Sequence, residues 1–342
     1  MVKLKSVAID ITYGCNFRCK HCYNSSGEHE RKSKEISDEK ILEIVNDICD
    51  YYPESICMCG GETLLRVDII CKVAELVKQK SNNKISVNMV TNGYLLTDKV
   101  IDKLKNSGVQ HIQISLDGIT KESHNWIRNN EKSFDRVIEA MDLVVSHDLI
   151  LGIACAPSKK NINEIPQLIE YCYNKKVDTL RFQPLMIMGR GSELKKYELS
   201  KIEYFKLCDY INTVSKEDKY NGMSIEWGDP LEHLGLICNG SQTYMNWTIN
   251  AYGEIMFSPY IPVIIGDLKL HTVHEYINGG IIDILNDKFI MKCSSILNEW
   301  SHMEMQEFNV KIPKLGMDEY INYDILNKKS NSIELIETIN NL

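Results

Sequence analysis

The chain has 342 residues, 44% of them apolar and 25% charged, with a formal net charge of -8 and a pI near 5.7. That balance argues against nucleic-acid and membrane partners, because neutralising phosphates takes a clustered excess of Lys and Arg. No low-complexity tract, run of about 18 apolar residues or secretory signal core occurs, so the expectation is a folded cytoplasmic protein with one main domain and a smaller appendage.

Along the chain, β-rich runs at residues 7–13, 55–60, 85–91, 111–116, 149–156 and 179–185 alternate with helical periodicity over 38–51, 68–80, 98–106, 134–147 and 163–174. Strand-helix repetition of this kind predicts a parallel sheet. Ser37, Thr97 and Gly108 stand where helix caps and stops belong. A complete eight-stranded barrel needs about 250 residues, and the repetition stops near Gly191 after six strands. The fold class expected is therefore α/β, a partial (βα)6 TIM-like barrel over residues 1–194. From about Lys195 the rhythm changes to a helix (203–215), a strand (224–227), a hairpin (246–257) turning at Tyr252-Gly253, and helices to the end. This predicts a smaller α+β domain over 195–342.

Reactive groups of α/β folds collect at the C-terminal ends of parallel strands. Here those ends read Tyr13-Gly14-Cys15, Gly60-Gly61-Glu62, Thr91-Asn92-Gly93, Ser115-Leu116-Asp117-Gly118 and Gly189-Arg190-Gly191. The first opens into Cys15-x3-Cys19-x2-Cys22, three thiols within eight residues. Twelve cysteines diluted over such a chain point to metal ligation or burial rather than a disulfide scaffold. Three thiolates complete a zinc site only if His21 or a distant group joins. A four-iron cluster on three cysteines keeps one iron open to a ligand. Cys59 and Cys155 stand at strand ends where they can approach a cavity. Cys49, Cys57, Cys71, Cys172 and Cys208 read as buried small hydrophobes.

The C-x3-C-x2-C motif followed by Tyr23, placed after the first strand, resembles the radical S-adenosylmethionine (SAM) superfamily, and the other rim motifs stand in that family's order over residues 5–191. The resemblance implies one [4Fe-4S] cluster on Cys15, Cys19 and Cys22, with SAM on its open iron. Gly60, Gly61 and Glu62 match the segment that binds the methionine amino group. Ser115 and Asp117 match the one near the ribose and carboxylate, and Tyr23, Asn92 and Arg128 also resemble family features. The family's reaction is reductive cleavage of SAM and abstraction of a substrate hydrogen, with electrons from a donor such as flavodoxin or ferredoxin.

Many relatives carry a C-terminal SPASM or twitch unit that opens with a cysteine, a gap, glycine, four residues and a second cysteine. This chain has Cys238, a gap of fourteen, Gly253, four residues and then Ser258, with only Cys293 beyond. The expectation is a SPASM-like domain without its auxiliary cluster, leaving Cys238 as a candidate catalytic hydrogen donor. The substrate expected is a ribosomally made peptide, to be cross-linked, thioether-bridged or epimerised. Against it stands the start of the chain at its first strand, without the winged-helix leader-binding domain of many maturases. Acidic residues Glu304, Glu307, Asp318 and Glu319 offer a surface for a basic leader. The alternatives are a small-molecule radical SAM enzyme of cofactor or antibiotic synthesis and a zinc-stabilised binding module.

Overall fold

A computed structural model describes residues 3–28, 34–228, 236, 244–259, 261–300 and 320–327. Among these residues, eleven strands make one sheet. Its parallel part runs β1 (Lys3–Asp10), β2 (Ser55–Cys59), β3 (Ser86–Thr91), β4 (His111–Ser115), β5 (Ile150–Cys155), β6 (Thr179–Phe182) and β7 (Ser224–Trp227), each paired with the next. Beyond β1, the order continues through β8 (Tyr244–Ile249), β9 (Glu254–Ser258), β10 (Ile261–Asp267) and β11 (Ile321–Asn322). Strand β8 pairs parallel to β1, whereas β9 and β10 are antiparallel to their predecessors. The architecture is a partial TIM-like barrel extended by a β meander.

Helices α1 (Asp38–Cys49), α2 (Val67–Ser81), α3 (Asp98–Ser107), α4 (Lys121–Arg128), α5 (Ser133–Ser146) and α6 (Ile165–Asn174) connect the parallel strands. Alternation explains which face they cover, since successive strand side chains point to opposite faces. Val7, Ile9, Ile56, Met58, Val87, Met89, Ile112, Ile114, Leu180 and Phe182 are buried in the core with the helices. The alternate positions, among them Ser6, Ser86, Asn88, Gln113 and Ser115, are mostly half-buried and polar, so the inner wall of the barrel is largely hydrophilic; Cys59 stands on it with Cys57, which like Cys208 is half-buried rather than buried as expected.

The caps are as the sequence predicts: Ser37 accepts from Lys40 N at the start of α1, Thr97 from Val100 N at α3, and Gly108 ends α3 at φ 111°. Three differences have local causes. Helix α4 was not foreseen because it is short and mostly polar, yet Thr120 caps it and its buried face carries Ser123, His124 and Ile127. After the 246–257 hairpin, expected to lead only into helices, β10 and β11 follow. The run Ile261–Asp267 is β-branched and apolar, and it completes the meander. The strand at 224–227, read as part of a second unit, hydrogen-bonds to β6 as a seventh parallel strand.

Candidate active site

Strand β1 ends at Asp10, three residues short of the predicted end, and the backbone then runs as a loop against the end of β2. Ile11 N donates to Cys59 O at 3.0 Å, Gly61 N to Thr12 O at 2.7 Å and Glu62 N to Gly14 O at 2.9 Å. This close approach requires glycine. A Cβ on Gly60, at φ 133°, would stand 2.2 Å from Thr12 O, and one on Gly61 2.1 Å from Gly14 O. The Gly60-Gly61 turn therefore clamps the entrance to the cysteine loop.

The loop itself is held from three sides. Lys20 N donates to Ile127 O at 2.8 Å, which ties the loop to the last turn of α4. Arg190 N donates to Cys22 O at 3.0 Å while its Nε donates to Cys19 O at 2.9 Å. Gly189 lies so close that a Cβ there would meet Tyr23 O at 2.3 Å. Arg18 closes the far side by donating to the carbonyls of Cys15 and Gly27. Strand-end motifs from β2 and β6 thus fix the backbone on which all three thiols sit.

Each thiol has its own setting. Cys15 Sγ accepts from Phe17 N at 3.4 Å, Cys22 Sγ lies 3.1 Å from Asn24 Oδ1, and Arg128 Nη1 lies 4.0 Å from Cys19 Sγ. Burial pushes the Cys19 thiol up to about 11 despite the opposing Arg128 charge, and burial also raises Cys15. Among the described residues no three His, Cys, Asp or Glu groups converge closely enough to hold a single metal ion. His21, the candidate fourth zinc ligand, instead directs Nε2 towards Asp117 Oδ2 at 3.8 Å, and its buried Nδ1 has no partner. Burial holds its pKa down at about 4. Three soft thiols spread along one loop, with an N–H and a guanidinium directed at two of the sulfurs, fit an anionic multi-iron cluster better than mononuclear zinc.

Around the loop, the predicted rim residues are joined by hydrogen bonds. The buried Glu62 carboxylate accepts from Thr91 Oγ1 at 2.6 Å, Asn92 N at 2.9 Å and Leu64 N at 3.0 Å. Burial raises its pKa, and these donors act against that. Asn92 Nδ2 reaches into the cysteine loop to Asn16 Oδ1 at 2.8 Å. Asp117, fully buried, accepts from Arg128 Nε at 2.6 Å and from Ala156 N at 2.8 Å. Burial alone would raise its pKa, but Arg128, His21 and His124 together hold it below the usual carboxylate range. Asp117 and Arg128 are therefore an internal pair rather than surface charges. Ser115, the last residue of β4, is half-buried beside them.

Three supporting residues escaped the sequence reading. His124 accepts from Asp117 N at 3.1 Å, Asn161 Nδ2 donates to Asp117 O, and Asn16 receives Asn92. Their signal is weak: a histidine on the buried face of an unforeseen helix and two asparagines in loops. Cys59 lies on the inner wall with its sulfur 3.6 Å from that of Cys57, whereas Cys155 is buried with Asn161 Nδ2 at 3.9 Å. In the meander Gly253 takes φ 80° at the predicted hairpin turn, Ser258 is buried at the end of β9, and Cys293 is buried in the helix Lys288–Trp300. Cys238, Glu304, Glu307, Asp318 and Glu319 lie outside the described residues.

Known proteins resemble this chain in sequence and in fold. Residues 9–178 match the profile of the Radical SAM superfamily. The chain is 25% identical over 213 residues to the AdoMet-dependent heme synthase of Methanosarcina barkeri, spanning 62% of this chain and only 59% of that protein. Among solved structures it resembles anSMEcpe with bound AdoMet, with a TM-score of 0.64 and 21% identity over 84% of each chain. It also resembles Streptococcus suis SuiB bound to its precursor peptide SuiA, with a TM-score of 0.59 and 15% identity, covering 85% of this chain and 66% of the other.

Proposed function

We propose, from the match of residues 9–178 to the Radical SAM superfamily, that the protein is an enzyme of that kind and that Cys15, Cys19 and Cys22 hold one [4Fe-4S] cluster beside a SAM site. When bound and reduced by one electron from an external donor, the pair would supply reductive cleavage of SAM and hydrogen abstraction from a substrate carbon. The observation that carries this reading is the clamp between the Gly60-Gly61 turn and the cysteine loop, which fixes the thiols against the strand ends. Gly60, Gly61 and Glu62 line the methionine end of SAM; Asn92, Ser115, Asp117, Arg128 and Tyr23 shape the rest. Arg128 does two jobs, neutralising Asp117 and placing positive charge at Cys19. Closure of the partial barrel over a bound substrate would keep bulk water from the reaction.

The substrate we propose is a ribosomally made peptide, modified by cross-linking, thioether formation or epimerisation. The fold shared with the SuiB–SuiA complex and the polar inner wall of the barrel support it. The second reading, a small-molecule substrate, is favoured by the likeness to the heme synthase. The meander from β8 onward, together with residues beyond it, is proposed as the SPASM-like unit, with Ser258 in place of a cluster ligand. The experiment is incubation of the reconstituted enzyme with dithionite, SAM and candidate peptides encoded beside its gene. Mass spectrometry should show a peptide mass change matched by 5'-deoxyadenosine. Deoxyadenosine without any peptide change, but with turnover of a porphyrin-type substrate, would favour the second reading.

A further inference from the structure

Although the chain is acidic overall, five lysines gather beside the cysteine loop. Lys20 lies between Cys19 and Cys22, and its Nζ stands 4.4 Å from the centre of the Trp126 ring. Lys160 Nζ stands 5.2 Å from the same ring and 5.7 Å from Tyr197, while Lys196 Nζ is 4.9 Å from Tyr197. The two rings meet edge to face at 4.8 Å. Lys159, whose N donates to Tyr197 O at 2.8 Å, and Lys195 complete the group. Lys159, Lys160, Lys195 and Lys196 are exposed, and among the described residues none of the five stands within 4.0 Å of a carboxylate in an ion pair. Other exposed lysines do so, such as Lys121 with Asp135 and Lys219 with Glu170. The acids nearby, Glu198 and Glu203, temper the field at Lys159 and Lys195 and leave Lys20, Lys160 and Lys196 facing the aromatic pair.

A basic spot on an acidic protein costs repulsion unless something negative comes to it. Its position says what. Trp126 stands two residues before Arg128, whose guanidinium reaches Cys19, and Ile127 between them accepts from Lys20 N. The patch thus adjoins the cysteine loop, with Lys20 next to Cys19 in the chain and the Arg128 guanidinium 4.0 Å from Cys19 Sγ. We propose that the surface formed by Lys20, Lys159, Lys160, Lys195 and Lys196 around Trp126 and Tyr197 is the docking face for an acidic one-electron carrier protein. The proposal rests on the reading that the cysteine loop holds a reducible cluster. The carrier would be oxidised by one electron and the cluster reduced by one, with no bond made or broken. Charge complementarity at such contacts chiefly sets association rate and its salt dependence.

The test uses the full-length protein, the charge-reversed Lys160→Glu/Lys196→Glu variant and a reduced bacterial flavodoxin as probe. Flavodoxin-driven SAM cleavage should fall about tenfold or more in the variant at low salt, and the wild-type rate should drop towards it at high salt. Dithionite, a small reductant that needs no docking face, should drive both proteins equally. Separately, carbodiimide cross-linking of oxidised flavodoxin to the metal-free protein should map to Lys160 and Lys196 and vanish in the variant. Equal flavodoxin-driven rates, or no cross-link at these lysines in the wild type, would overturn the proposal. A matching loss with dithionite would also overturn it, assigning the patch to an acidic peptide or nucleic-acid ligand or to the loop's own folding. No dithionite-driven cleavage by the wild type would instead sink the cluster reading, a failure that cross-linking tells apart because it needs no cluster.

Discussion

Asp117 and Arg128 carry the most consequential residue-scale chemistry, because both charges are taken out of water together. Removing one partner of such a pair leaves the other uncompensated, at a cost of about 3–5 kcal/mol. Asp117→Asn should therefore lower the denaturation midpoint strongly at pH 7. The native pKa of Asp117 lies below its unfolded value. Its contribution is thus complete above the unfolded value near about 4 and is lost as pH falls through the depressed native one. The variant's deficit should shrink under acid, and a deficit unchanged with pH would argue against the pairing. Asp10 has the opposite sign. Burial lifts its pKa to about 7, with Glu35 adding to this and a Tyr13 hydrogen bond opposing it. Its ionisation therefore destabilises the fold progressively between about pH 4 and 7. Asp10→Asn should flatten that decline and raise the thermal midpoint at pH 8; an unchanged or lower midpoint would contradict this. Asp117 and Arg128 stood out in the sequence by resemblance alone. Their partnership was not legible there, because helix α4, which brings residues eleven apart into contact, carries too little apolar periodicity to be seen.

The meeting of β2 with the loop after β1 organises the site at the scale of elements. The Gly60-Gly61 turn was legible, since paired glycines at a strand end announce close backbone approach, but its partner was not. Thr12 and Gly14 lie some 48 residues earlier, and only the parallel register of β1 and β2 brings them together. Gly61→Ala should force the loop off by the overlap with Gly14 O. Overpacking of this kind costs about 1–3 kcal/mol or more, and the variant should bind less iron on reconstitution. Full iron uptake and an unchanged melting curve would show that the clamp is dispensable. Glu62→Gln tests the other end of the turn. It replaces one carboxylate oxygen with a donor among Thr91 Oγ1, Asn92 N and Leu64 N, and should cost about 1–3 kcal/mol. A melting temperature equal to wild type would deny the carboxylate its role in joining β2 to β3. Caps and breakers made the helices readable, whereas β10 went unseen because a short apolar run is equally consistent with a helix.

For the molecule as a whole, the alternation of strands and helices fixed the class of fold, and the order of rim motifs pointed to the strand ends where the chemistry is proposed to lie. Local pattern does not say how the later strands attach. Strand β8 joins β1 in parallel through pairs such as Val7–Trp247, and β7 extends the other side of the sheet, contacts between residues tens to hundreds of positions apart. Consequently the barrel and meander share one sheet, and the inner polar wall is bordered by strands from both halves of the sequence. The central claim is that the three thiols of one clamped loop carry a single redox cluster that cleaves SAM. Its most direct test is anaerobic reconstitution with iron and sulfide, elemental analysis, and a dithionite-driven assay for 5'-deoxyadenosine. About four irons per chain and SAM cleavage are expected, both lost in the Cys15→Ala/Cys19→Ala/Cys22→Ala variant. Zinc in place of iron with no cleavage, or cleavage that survives the triple substitution, would contradict the account.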